Sequence, residues 1–136
     1  MKKSKATAAK VKDKQAKLEL ARRHLDRVHS AWDNPTDWDD LSLYGFYCLE
    51  AAVEAAALHV KIRPTYVHAE KAEIAQSLHE QHGLPDVSEL LLDLNSARKA
   101  VAYGDVEPPE LNPEDVANDI KQFVERVAEL LAKQSS

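Results

Sequence analysis

Four residues with side-chain chemistry stand close together at Arg98, Lys99, Tyr103 and Asp105, with Asn95 one helical turn earlier. A guanidinium offers a planar fork of donors that suits phosphate or carboxylate, and a tyrosine ring can stack on a nucleobase. Gly104 follows Tyr103 directly. A glycine just past a periodic segment is a helix stop, because it takes the left-handed conformation without steric cost. The cluster is therefore expected in the last turn and a half of a helix, beside a loop, where the macrodipole favours cations. Glu50 and Glu54 form a second cue. They are four apart, so both project from one face of a near-apolar helix. Carboxylates in such a place are costly unless paired. Arg98 is the expected partner, oriented by them toward a ligand or another chain. The alternative is one glutamate reaching solvent and the other in a buried ion pair.

Other chemistries find little support. Cys48 is the single cysteine, so an internal disulfide and Cys-x-x-Cys zinc sites are excluded, and its apolar neighbours mark it as a buried core thiol. His79 and His82 are the only close histidine pair, and no Glu-x-x-His occurs, so no metal is expected. His59 and His68 flank a proline turn and are expected at the surface. Ser42, Ser77, Ser88 and Ser96 stand in no Gly-x-Ser-x-Gly pattern, and three glycines cannot build a usual phosphate-cradling loop. No catalytic residue and no cofactor is expected.

The elements that must hold these residues are helical. Few glycines, abundant Ala, Leu, Glu and Lys, and no period-two alternation argue for helix almost throughout. Five helices are expected. The first runs from about Ala6 to Trp32 and is broken by Asn34-Pro35. The second is capped by Thr36 and reaches Arg63; it is apolar nearly all round, as a central helix should be. The third runs from Thr65 to about His82 and closes at Gly83. The fourth opens on a capping box, Asp86-Val-Ser-Glu89. The fifth opens on Asn112-Pro113-Glu114-Asp115. Short connections favour antiparallel neighbours, so the fold class is all-α, an antiparallel up-down four-helix bundle with an additional helix.

At 136 residues the chain is long enough for one core without disulfides. A basic, partly flexible arm is expected over 1–16, then a single helical domain over 17–133. The net charge of −5 conceals an asymmetry. Residues 1–27 carry ten Lys/Arg against three acids, which makes them +7 and the remainder −12. Such an arm can contact phosphates independently of sequence, or simply solvate a helix start; no aromatic is interleaved in it to stack on bases. No stretch approaches the roughly 18 apolar residues of a membrane span, and no apolar region follows the basic start as in a secretory signal. A cytoplasmic protein with no membrane partner is expected.

The order of helices, and above all Leu94-Asn-Ser-Ala-Arg98-Lys-Ala-Val-Ala-Tyr103-Gly-Asp105, resembles the HEPN superfamily of small prokaryotic helical bundles. Leu49–Leu58 and His68-Ala-Glu-Lys-Ala-Glu-Ile74 support the likeness, which spans about residues 15–133. The resemblance implies a homodimer with the arginine at a cleft between protomers. It implies RNA, a nucleotide or a nucleotidyltransferase as partner, in a toxin–antitoxin or defence setting. Family members that cleave RNA carry an Arg-x(4–6)-His motif, with four to six residues between the arginine and the histidine. Here that position is Tyr103, a poor base at neutral pH. Three readings stay open: a non-catalytic binding module, a metal-independent ribonuclease with an Arg-x4-Tyr motif, and a purely structural dimerisation protein.

Overall fold

The computed structural model describes residues 2–33, 35–63, 65, 67–104 and 107–133, with side chains from Asp13 onward. Within them every regular element is an α-helix: α1 (Lys2–Ala31), α2 (Trp38–His59), α3 (His68–His82), α4 (Ser88–Ala102) and α5 (Pro113–Ala132). The chain is all-α, as composition and periodicity require.

Local chemistry sets most boundaries. Asn112 caps α5 by accepting from Asp115 N at 3.0 Å, with Pro113 in the first turn. Gly83 takes the left-handed conformation (φ 71°) after α3, and its N–H and that of Leu84 close back on His79 O and Leu78 O. Tyr103 caps the end of α4, and Gly104 beyond it is also left-handed (φ 84°), its N–H bonding to Val101 O. Two caps differ from expectation. Asp37, not Thr36, caps α2 by accepting from Asp40 N, while the Thr36 hydroxyl donates to Trp32 O. The Asp86–Glu89 capping box does not form. Asp86 instead accepts from the N–H and hydroxyl of Ser88, two residues on, and α4 starts at Ser88 without a side-chain cap.

α2 is the central element. It touches α1, α3, α4 and α5. Thirteen of its residues are buried, among them Phe46, Leu49 and Val53, and each large apolar side chain so buried stabilises by about 1.5–3 kcal/mol. Contrary to expectation, α2 is long and apolar enough to cross a bilayer by length and composition alone. Yet 72% of its apolar window is buried inside the fold, where that apolarity serves the core. α1 runs antiparallel to it: Lys14 meets His59, Ala21 O accepts from Cys48 Sγ, and Arg27 meets Tyr44. Gly45 lets α4 and α5 approach. A Cβ there would lie 3.1 Å from Ile120 Cδ1 and 3.3 Å from Leu94 Cδ1.

Candidate functional site: a cation–aromatic strip across three helices

Arg98 leaves α4 toward α2. Its guanidinium carbon sits 4.7 Å from the centre of the Phe46 ring and 6.0 Å from that of Tyr47, within range of cation–π attraction. Among the described residues no carboxylate forms an ion pair with it. Its Nε is buried without a hydrogen-bond partner, and so is Oδ1 of Asn95, three residues earlier on the same helix. A desolvated donor on a permanent cation and a nearby desolvated acceptor both lack partners in the isolated protomer. That state is costly in a finished core.

Glu50 and Glu54 do not serve Arg98, contrary to expectation. They hold Lys71 of α3, at 3.2 Å from Glu50 Oε2 and 2.7 Å from Glu54 Oε1. Lys71 is only 6% exposed. Lys17 of α1 reaches Glu54 at 2.8 Å, and His68 Nδ1 lies 2.5 Å from Glu50 Oε2. An ionised carboxylate only accepts, so His68 carries its proton on Nδ1. Burial pushes the Glu54 carboxyl up, but the ion pairs to Lys17 and Lys71 outweigh it and hold it below the ordinary value of 4.5. Burial likewise lowers Lys71, and its two glutamates reverse this and raise it. The cluster ties α1, α2 and α3 together; it matches neither expectation in full, because both glutamates are ion-paired and the shared cation is Lys71.

Tyr103 is 89% exposed and does not share Arg98's surroundings. Residues five apart on a helix point in different directions. Lys99 is exposed, and Asp105 lies outside the described residues. Thus Arg98 faces α2 and Asn95 precedes it by three residues on the same helix, whereas Lys99 and Tyr103 point to solvent. His79 is spent on the helix end, its Nδ1–H donating to Leu84 O at 2.8 Å. His59 does not pair with His68; it accepts from Lys14 Nζ at 3.0 Å.

Tyr47 connects Arg98 to residues that sequence reasoning missed. His24 of α1 lies 5.8 Å from the rings of both Tyr44 and Tyr47, and Arg27 stands 5.5 Å from the centre of Tyr44. On the far side Phe46 meets the edge of His68 at 5.1 Å. The order is Arg27, Tyr44, His24, Tyr47, Arg98, with Phe46 beneath and His68 beside it. Burial lowers the His24 pKa, and the strip's permanent charges are those of its two arginines. Tyr47 is 38% exposed, Arg27 is exposed, and Arg98 and Tyr44 are half-buried. The aromatics absent from the basic segment are thus supplied to it by the neighbouring helix.

No family model matches this chain, and no curated protein or solved structure matches it.

Proposed function

We propose that this protein is a HEPN-like helical-bundle module that binds single-stranded RNA or a nucleotide on the α1–α2–α4 face without cleaving it. The observation that carries this reading is Arg98: a guanidinium fixed on an aromatic ring, paired with no carboxylate among the described residues, its buried Nε without a partner. Phosphate is the anion its fork fits best. Tyr47 and Tyr44 supply faces on which bases stack, at spacings set by one helix. Arg27 adds a second phosphate contact at the other end of the strip.

Binding of a labelled single-stranded RNA, read by fluorescence anisotropy, tests this reading. Arg98→Ala is expected to weaken binding about 10- to 100-fold, the loss that follows from removing a charged hydrogen-bond group. Tyr47→Ala is expected to weaken it by a similar factor. The RNA is expected back intact. Cleavage that is lost in His68→Ala and kept in Tyr103→Phe would replace this reading with a ribonuclease. His68 favours that second reading, because Glu50 fixes its tautomer and it shares the Phe46 ring with Arg98.

A further inference from the structure

A groove of about 880 Å³ lies along a different side of the same stretch of α4, between Asp93, Ala97 and Val101, the start of α2 and the segment 107–111. Its apolar surface includes Trp38, Ala97, Ala100, Val101 and Leu111, and its rim carries Asp37, Asp39, Asp93 and Glu110. No lysine or arginine lines it. Asp39, Asp93 and Glu110 take part in no ion pair among the described residues. We propose that this groove receives the lysine-rich N-terminal segment of a second copy of this chain.

The occupant follows from charge and from geometry. Residues 2–12 contain Lys2, Lys3, Lys5, Lys10 and Lys12 and no acid. Ala6, Ala8, Ala9 and Val11 stand between them. Lysine stems and small apolar side chains suit an apolar floor, while the ammonium groups reach an acidic rim. Trp38 offers the aromatic face that attracts cations most strongly.

The same chain cannot fill its own groove. Lys14 of α1 meets His59, the last residue of α2. Residues 2–13 of α1 therefore run past that end of α2 by about 18 Å at 1.5 Å per residue. The groove lies at the opposite end of α2, roughly 30 Å away along its 22 residues. In a two-fold dimer with the long helices antiparallel, each arm passes over the partner's groove, and the two contacts are identical by symmetry. This inference is independent of the RNA-binding reading: it uses neither Arg98 nor the strip.

Sedimentation velocity on the full chain tests it with a charge swap. One variant carries Lys2→Glu, Lys3→Glu, Lys5→Glu, Lys10→Glu and Lys12→Glu; the other carries Asp39→Lys, Asp93→Lys and Glu110→Lys. The unaltered chain is expected to be a dimer that dissociates in 1 M NaCl. Each variant alone is expected to be monomeric, because like charges then meet. An equimolar mixture is expected to form a heterodimer, since an acidic arm meets a basic groove and a basic arm meets an acidic one. If groove reversal unfolds the chain, Asp39→Asn with Asp93→Asn and Glu110→Gln decides, and a dimer dissociation constant raised at least tenfold is expected. A mixture that stays monomeric, an unaltered chain that is monomeric, or variants that dimerise alone would overturn the proposal. So would an arm variant that loses RNA binding with unchanged sedimentation, which assigns the arm to nucleic acid. Arg98→Ala is expected to leave sedimentation unchanged.

Discussion

Lys71 is the residue on which the interior depends most visibly. Its ammonium is buried between Glu50 and Glu54, and both carboxylates are themselves largely covered. Removing one member of such a group leaves buried charge uncompensated, which typically costs about 3–5 kcal/mol. Lys71→Met is therefore expected to lower the urea midpoint by that amount of stability. A loss below about 1 kcal/mol would show that the cluster is solvated. The same groups give a pH dependence with a definite sign. Glu54 titrates below its ordinary value of 4.5 in the folded chain. Its contribution is present above that value and is lost as pH falls through the lower, folded-state pKa. Lys71 behaves oppositely. Its raised pKa gives a contribution present below the ordinary 10.5 and lost as pH rises through the folded-state value. Thermal melts are expected to show a decline in the wild type between about pH 4.5 and lower that is smaller in Glu54→Gln. In sequence Lys71 looks like any helix-surface lysine. That Glu50 and Glu54 need a cation was legible; which helix delivers it was not, because that depends on how α3 lies against α2.

At the scale of elements, α2 carries the consequences of close packing. Gly45 is helical and buried, and its missing Cβ leaves room for Ile120 and Leu94. Gly45→Leu is expected to destabilise the fold by about 1–3 kcal/mol through overpacking, measured by chemical denaturation. An increase in stability would mean that α4 and α5 yield freely. Helix stops and starts written in local chemistry were readable: Gly83, Asn112 with Pro113, and the apolar run of α2 all act as their types require. The Asp86–Glu89 pattern was misread for a physical reason. An aspartate has two nearby backbone donors to choose from, and Asp86 takes Ser88, two residues on, in place of the third residue of a capping box. The cation–aromatic strip was half legible. His24 with Arg27, and Tyr44 with Tyr47, are each three apart and so share a face. Only the register of the antiparallel α1–α2 pair brings those faces together, and register is a tertiary property.

For the whole molecule, the charge asymmetry found in the sequence has two distinct destinations. Arg27 and Arg98 stand on one surface rich in aromatic rings, which the proposed function assigns to phosphates and bases. The acidic groove and the lysine-rich arm are opposite in charge, and the further proposal joins them between copies. The two separate experimentally, because the first depends on stacking and on a guanidinium, and the second on the sign of charge alone. The measurement that bears most directly on function is the salt dependence of single-stranded RNA binding by the unaltered chain and by Arg98→Ala. The expected result is a roughly 10- to 100-fold loss in Arg98→Ala, with the salt slope reduced by about 0.7, one phosphate's worth on a single strand. Equal affinity and equal slope in the two proteins would contradict an RNA site built on Arg98.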